Sequence, residues 1–391
     1  MSFFSGYPFF VCFFCAMCPA AVLGIKEKPL RWYRWLLMIV FVGMVYKREP
    51  LQLLYLLVYV SGACILIKGY LHIRTKYGWN GGNYGCAVLL ALLPLAAGKA
   101  GGLYGKSIFG FLGISYICFR VVQVIIEIYD GVIRDVNVRD FLMFLLFFPA
   151  LSSGPIDRSR RFKEDEETVY KRDEYLELLG KGGYKIILGM FYKIVCSACF
   201  FKLLEDNFAG RYGLFYAAGY AYVYGLYLFF DFAGYSAMAV GASYVLGIRM
   251  PDNFNKPFVS IDMKDFWNRW HITLSSWLRD FVFTRFMVNA ARRKWFKSRL
   301  SRAFAGLMVN MILMGAWHGL EGRYIAYGVY HGLLLGGTEV FQKKSRFYQK
   351  YKNNLWYKGA SWFLTLNMAM FGFLIFSGYV NEALGIMIHR I

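Results

Sequence analysis

The chain has 391 residues, of which 58% are apolar, 20% aromatic and only 18% charged. Soluble domains carry about 25% charged residues, so this composition, with a mean hydropathy of +0.39, excludes an ordinary water-soluble protein and indicates one embedded in a lipid bilayer. The net charge is +21, from 45 basic and 24 acidic residues. Repeated apolar runs near the length of a membrane span argue against a nucleic-acid-binding protein as the source of that charge.

Long apolar runs recur along the whole chain. Runs of about 20 residues match the thickness of a bilayer, whereas runs of about a dozen suit re-entrant or buried helices. The pattern predicts an all-α, polytopic membrane protein with about eleven transmembrane or re-entrant helices, two of them within Leu214–Ile248. The runs are Phe3–Ile25, Trp32–Tyr46, Leu51–Ile67, Tyr84–Ala97, Ile108–Tyr129, Phe141–Leu151, Tyr184–Leu204, Leu214–Ile248, Ala303–Leu320, Tyr324–Phe341 and Trp362–Val380.

Lys and Arg are grouped in five stretches between the apolar runs. Basic residues gather on the cytoplasmic side of a membrane. With all five stretches on that side, we expect a multi-pass protein of the cell membrane with both termini extracellular. Residues 1–25 lack the basic start of a signal peptide and are interpreted as the first span. The basic stretches are Lys26–Arg34, Lys68–Lys76, Arg158–Lys163, Arg292–Arg302 and Lys343–Lys352.

Eight cysteines lie in or beside apolar runs. Cys12, Cys15 and Cys18 have a helical spacing that would suit a zinc site, but no His or Asp cluster accompanies them. Small buried apolar side chains are the favoured interpretation of all eight. No metal site is therefore predicted.

The segment 253–302 resembles neither a span nor an ordinary loop. In a continuous helix, Trp267, Trp270, His271, Leu274 and Trp277 would share one face, because they follow the i, i+3, i+4, i+7 spacing. The segment is predicted to be an amphipathic, re-entrant helix that turns His271 toward its buried side. Two roles stay open for His271, a core histidine bonded to a backbone carbonyl or a polar group that lines a buried path.

Basic and apolar residues alternate directly after this predicted helix. Anchoring to the membrane surface is one interpretation. Docking of an acidic protein is the other, with apolar anchors and a basic rim that steers association. The residues concerned are Arg285, Phe286, Met287, Val288, Arg292 and Arg293.

His318 ends an apolar run and lies between two glycines in the sequence GAWHG. A polar side chain at such depth is costly unless it is paired or hydrated, and imidazole is well suited to accept a hydroxyl proton near neutral pH. Gly319–Gly322 is predicted to break the helix, which leaves the relation of His318 to His331 open. Asp231 is a second costly group, either a histidine partner or a structural residue. From residue types alone, a catalytic and a structural His318 stay equally open.

Several motifs resemble those of the membrane-bound O-acyltransferase family. They are FLGISYICFR, FFPALSSGPIDRSRRF, LFFDFAGYS, NFNKPF followed by WNRWHITLSSWLRDFVF, GAWHG and YIAYGVYHG. The resemblance covers residues 107–380 and divides one membrane domain into N-terminal spans (1–106) and a catalytic core (107–380). It implies a ring of helices around a thin core with a central tunnel.

The resemblance also implies a reaction and its residues. His318 corresponds to the family's catalytic histidine and His271 to its second histidine, with Trp317, His331, Asp231 and Trp267 as neighbours. The motifs are most similar to the branch that moves D-alanine to teichoic acid. The donor would be a thioester on the 4'-phosphopantetheine of an acidic carrier protein on the cytoplasmic side. The chain itself would bind no cofactor.

The acceptor implied by the resemblance is an extracellular teichoic acid, reached directly or through another membrane protein of the same pathway. Alginate-type O-acetylation of a polysaccharide is the alternative within the family. A transporter or channel is the alternative outside it, since buried His, Asp and Glu also line solute paths. The inverted repeats typical of many transporters are not evident in the sequence.

Overall fold

The computed structural model describes residues 3–103 and 109–389, and all regular secondary structure in these ranges is helical. The all-α prediction is confirmed. The helices are α1 Tyr7–Ile25, α2 Arg31–Tyr46, α3 Pro50–Tyr77, α4 Gly81–Leu103, α5 Ile114–Tyr129, α6 Val138–Leu146, α7 Ser159–Glu167, α8 Arg172–Met190, α9 Ser197–Phe208, α10 Leu214–Val245, α11 Met263–Arg269, α12 Ile272–Leu278, α13 Thr284–Arg292, α14 Arg299–His318, α15 Gly322–Lys344, α16 Arg346–Tyr351, α17 Leu355–Ser377 and α18 Tyr379–His389.

Seven helical segments within the described residues are long and apolar enough to cross a bilayer. One of them, Arg172–Phe208, joins α8 to α9 through a π-helical turn at Phe191–Cys196. The length and composition of these segments support a multi-pass membrane protein. The other six apolar helical segments in the described residues are Tyr7–Ile25, Pro50–Tyr77, Gly81–Gly102, Leu214–Val245, Arg299–His318 and Leu355–Ser377.

The prediction of two helices within Leu214–Ile248 is wrong. Helix α10 runs without a break for 32 residues. Its glycines are packing positions rather than breaks, because a Cβ at Gly219 would lie 2.7 Å from the Phe208 ring and one at Gly225 would lie 2.6 Å from the Met370 sulfur. Small residues of this kind let helices approach closely in a membrane.

The prediction that the N-terminal cysteines are buried is also wrong. Helix α1 packs through Phe9, Phe13, Met17, Ala20 and Gly24, which recur every three or four residues along one face. Cys12, Cys15 and Cys18 lie off this face and are exposed. Their spacing follows the helix, but they lie outside the packed stripe.

The chain forms two compact units, residues 1–190 with 235–252 and residues 191–234 with 253–391, as far as they are described. In unit 1, the short run Phe141–Leu151 is confirmed as buried and forms α6 and a 3₁₀ turn. Beneath it lies Arg120, 1% exposed, which donates to the carbonyls of Phe144 at 2.8 Å, Leu145 at 2.9 Å and Ala150 at 2.5 Å. A buried cation thus ties α5 to the end of α6.

The hairpin of α14 and α15 dominates unit 2. A Cβ at Gly315 would lie 2.3 Å from the Tyr324 carbonyl oxygen, and a Cβ at Gly328 would lie 2.5 Å from that of Met311. Only glycine permits so close an approach of the two backbones. Helix α14 ends at His318 and α15 begins at Gly322, which confirms the predicted break.

Candidate active site

His271 lies in a sharp break between α11 and α12. Its backbone is left-handed, with φ 45° and ψ 52°, so the predicted continuous helical face from Trp267 to Trp277 is wrong. Hydrogen bonds to Asn253, at the start of the same segment, hold this break. The amide of Ile272 donates to the Asn253 carbonyl at 2.9 Å, and the Thr273 hydroxyl donates to the Asn253 side-chain oxygen at 2.5 Å.

The predicted burial of His271 is confirmed, because only 3% of the residue is exposed. Its ring packs edge-on against Phe232 at 4.7 Å and lies 6.3 Å from the Trp317 ring. Its Nε2 has no hydrogen-bond partner among the described residues. Burial, together with the nearby His318, holds the pKa of His271 well below its ordinary value of 6.5, so the ring is neutral.

His318 is the last residue of α14 and is half-buried. Aromatic rings surround its imidazole, with centroids at 4.6 Å for Trp317, 5.0 Å for Phe376 and 6.3 Å for Tyr324. Trp317 lies beside both His318 and His271. The structure therefore brings His271 and His318 to one aromatic cluster, and of these two only His318 is partly open.

His331 lies deeper in the same hairpin and is completely buried. Its Nδ1 accepts a hydrogen bond from Trp267 Nε1 at 3.3 Å, so the proton of the neutral ring resides on Nε2. The Tyr327 ring lies between His331 and His318, with ring centroids 4.5 Å from His331 and 6.5 Å from His318. Trp267 and His331 thus support the aromatic cluster, and His331 contacts it through Tyr327.

Asp231 pairs with a lysine in this structure. Lys193, in the π-helical turn before α9, donates to its carboxylate. The structural interpretation of Asp231 is favoured by this ion pair over that of a histidine partner. The next residue, Phe232, is the one that packs on His271.

A cavity of about 940 Å³ lies in unit 2 between the α11–α12 segment, α14 and α15. Along α14 it touches Arg299, Ala303, Leu307, Asn310 and Met314, one face of the helix. At 1.5 Å per residue this stripe is about 22 Å long, and it ends one helical turn before His318. The cavity also touches Ile272, the residue after His271. It therefore extends from the start of α14 to the edge of the histidine cluster.

The rim of this cavity is basic. Arg299 begins α14, Lys343 lies near the end of the antiparallel α15, and Arg279 and Lys264 come from the segment beside them. Lys264 pairs with Glu339, the one acid among the described lining residues, and Arg279 pairs at 3.3 Å with Asp280 outside the lining. The described lining therefore carries more basic than acidic side chains. The sequence does not predict this rim, because its basic residues are far apart in the chain. Its only local signal is the position of Arg279 on the amphipathic segment.

The predicted docking residues lie on and after α13, which spans Thr284–Arg292. Val288 is 58% exposed, Arg292 and Arg293 are exposed, and Arg285 and Phe286 are half-buried. Met287 lines the 940 Å³ cavity. This exposed basic and apolar helix therefore adjoins the cavity.

The chain is similar to several proteins of known families. The model of MBOAT, the membrane-bound O-acyltransferase family, matches residues 26–381. A teichoic acid D-alanyltransferase of Bacillus subtilis is 37% identical over 96% of this chain and 98% of its own length, and that of Streptococcus thermophilus is 38% identical over 96% and 95%. A probable alginate O-acetylase of Pseudomonas aeruginosa is 32% identical over 57% of this chain and 42% of its own length. The chain belongs to the membrane-bound O-acyltransferase family.

Proposed function

We propose that this protein transfers D-alanine from a carrier-protein thioester to a hydroxyl group of teichoic acid. One observation carries the proposal: a basic-rimmed cavity about 22 Å long follows α14 and ends one turn before the half-buried His318. The two D-alanyltransferases that match nearly the whole chain supply the substrate class. The shorter match to the alginate O-acetylase makes O-acetylation the second candidate.

His318 acts as the general base in this proposal. Its imidazole accepts the proton of the acceptor hydroxyl while the oxygen attacks the thioester carbonyl carbon. The carbon–sulfur bond breaks, and the imidazolium returns its proton to the leaving thiolate. The products are a D-alanyl ester and a free thiol on the carrier. General-base catalysis of this kind contributes about 10²- to 10⁴-fold to the rate.

The neutral, buried His271 assists by orienting the donor. With the proton of the neutral ring on the unpartnered Nε2, His271 donates a hydrogen bond to the thioester oxygen as negative charge develops there. The backbone hydrogen bonds to Asn253 hold this residue in its left-handed conformation. An orienting group held by a rigid turn needs no reorganisation at the moment of reaction.

The 4'-phosphopantetheine arm of the carrier occupies the 940 Å³ cavity in this proposal. Its phosphate lies at the rim near Arg279, Arg299 and Lys343, because three basic side chains favour an anion there. The carrier protein, which is acidic, binds the outer surface of α13. The rim is cytoplasmic, and with all five basic stretches on that side, both termini are extracellular in the cell membrane.

A transfer assay tests the reaction. The full-length protein is reconstituted in vesicles and supplied with carrier protein that bears radiolabelled D-alanine and with a teichoic acid acceptor. We expect hydroxylamine-labile label on the acceptor, and acetyl-loaded carrier should transfer at least tenfold more slowly. Preferred transfer of acetyl groups would overturn the D-alanyl assignment in favour of O-acetylation.

A substitution on α13 tests the docking surface. Met287→Asp introduces a negative charge beside the cavity and should weaken binding of the acidic carrier at least tenfold by like-charge repulsion. Val132→Asp adds the same charge to an exposed apolar residue of unit 1 and should leave binding unchanged. Equal carrier affinity for both variants, measured by surface plasmon resonance, would remove α13 as the dock.

A further inference from the structure

A second cavity, of about 260 Å³, lies in unit 2 at the end of α9 and the start of α10. Its walls combine tyrosines with two carboxylates. Within residues 3–103 and 109–389, its lining contains neither Lys nor Arg. Among the described residues, this lining has none in common with that of the 940 Å³ cavity. We call it the Tyr–Glu pocket; it includes Glu205, Tyr212, Tyr220, Tyr224, Tyr379 and Glu382.

The tyrosines of the pocket form a continuous wall. The Tyr379 ring lies 4.6 Å from Tyr220 and 5.4 Å from Tyr212, and Tyr220 stacks on Tyr224 at 5.6 Å. The Tyr212 hydroxyl donates to the Glu382 carboxylate at 3.3 Å, which fixes that carboxylate beside the aromatic faces. The pocket is therefore a small concave site that contains both aromatic faces and a carboxylate.

Aromatic faces and carboxylates together select a cation. The face of an aromatic ring carries negative charge and attracts ammonium groups, as in the aromatic cages that recognise choline and methyl-lysine. Two carboxylates add Coulomb attraction for a cation and repel a phosphate. A primary ammonium group of small size therefore fits the pocket, and an anionic part of a teichoic acid does not.

The pocket lies close to His318. Tyr224, in its wall, interacts electrostatically with Tyr324 and Tyr327. Both of these rings lie within 6.5 Å of the His318 ring, at 6.3 Å and 6.5 Å. Tyr324 and Tyr327, which neighbour His318, are therefore within electrostatic range of the pocket wall.

We propose that the Tyr–Glu pocket is a product-side subsite that binds the ammonium group of a D-alanyl ester after its formation at His318. This inference rests on the proposed function, because the D-alanyl ester is the only cation that the transfer creates on the acceptor. The donor arm approaches along the other cavity. The two cavities thus separate an anion-binding donor side from a cation-binding product side.

A binding measurement tests the subsite without any transfer. The full-length protein is placed in nanodiscs of phosphatidylglycerol, a lipid whose headgroup contains no amine, and saturation-transfer NMR follows the methyl group of D-alaninamide. D-Lactamide is the matched neutral probe, and we expect at least tenfold weaker binding of it. Glu382→Gln should weaken D-alaninamide binding about threefold to fivefold, and addition of Glu205→Gln should weaken it further.

Asp206→Asn is the matched control, because Asp206 is an exposed acid next to Glu205 that lies outside the pocket lining. It should leave D-alaninamide binding unchanged. Equal binding of D-alaninamide and D-lactamide, or unchanged binding in the double Glu→Gln variant with wild-type thermal stability, would overturn the proposal. Loss of D-alaninamide binding in phosphatidylethanolamine nanodiscs would assign the pocket to a lipid headgroup and overturn the product assignment. Since binding is measured without transfer, a failure of the subsite is distinct from a failure of the transfer reaction.

Discussion

The buried arginines of unit 1 and the buried histidines of unit 2 differ in how their polar atoms are satisfied. In unit 1, the end nitrogens of Arg120 donate to three backbone carbonyls, and Arg34 donates to the carbonyls of Leu246 and Glu166. In unit 2, His271 and His331 each keep an Nε2 with no hydrogen-bond partner among the described residues.

This difference separates polar groups that hold the fold from polar groups that remain available. A charge bound to backbone carbonyls cannot serve a substrate without unfolding its surroundings. A neutral imidazole among aromatic rings costs less to bury and keeps its nitrogen for another partner. Buried polar residues of unit 1 should therefore affect stability, and those near His318 should affect transfer.

The largest expected effect is at His318. His318→Ala removes the proposed general base and should lower the transfer rate by about 10²- to 10⁴-fold with little change in thermal stability. His72→Ala removes an exposed histidine and should retain full activity. The rate of label transfer from charged carrier measures both variants. Wild-type transfer by His318→Ala would refute the general-base assignment.

A large stability effect is expected at Arg120. Arg120→Leu leaves three buried carbonyls without their donor and removes one of the cations near Asp157, so it should destabilise the fold by about 3 kcal/mol. The apparent Tm in detergent should fall by about 5 °C or more. Arg134→Leu changes an exposed arginine and should shift the Tm by less than about 1 °C. An unchanged Tm for Arg120→Leu would break the contrast between the two units.

A smaller effect is expected at the buried imidazole of His331. Trp267→Phe removes the only described donor to His331 Nδ1 and should cost about 1 kcal/mol, seen as a Tm lower by about 2–4 °C. Transfer should fall less than about fivefold, because the Tyr327 ring lies between His331 and His318. Trp295→Phe, at an exposed site, is the control. A hundredfold loss of transfer would instead make His331 part of the reaction.

The smallest effect concerns the pH dependence of unit 1. Burial raises the pKa of Asp157 above its ordinary value of 3.8, against the opposing influence of Arg161. Between the unfolded and folded pKa values, only the folded state holds the proton, so the free energy of unfolding falls as pH rises through this window. Asp157→Asn should remove this part of the slope, and Glu164→Gln, at an exposed acid, should not. Thermal unfolding at a series of pH values from 3.5 upward measures the dependence of stability on pH. The same slope in Asp157→Asn as in the wild type would contradict the raised pKa.

Sequence reasoning succeeded where the controlling interactions are local. Apolar runs of about 20 residues predicted membrane helices because length and hydropathy are properties of one segment. The glycines after His318 predicted the end of α14 for the same reason. A polar residue at the end of an apolar run is likewise a local pattern, and it indicates His318 as a candidate site residue.

It failed where distant parts of the chain decide the structure. The break at His271 depends on hydrogen bonds to Asn253, which the helical periodicity of residues 267–278 does not contain. The length of Leu214–Ile248 suggested two helices, but α10 is continuous, and its glycines accept the Phe208 ring and the Met370 side chain. The basic rim joins Arg299 and Lys343, which are far apart in sequence. Periodicity describes one helix, and these features belong to contacts between helices.

The left-handed backbone of His271 restricts which amino acids evolution can place there. Positive φ is unfavourable for most side chains with a Cβ, and Asn, Asp and His are enriched among the exceptions. Only one of these three has a titratable aromatic ring. The turn therefore requires a residue that tolerates positive φ, and the proposed chemistry requires an imidazole. Most substitutions at this position would strain the backbone, apart from any effect on transfer. Alanine at this position would combine loss of the ring with backbone strain, whereas His271→Asn keeps the turn and isolates the chemistry.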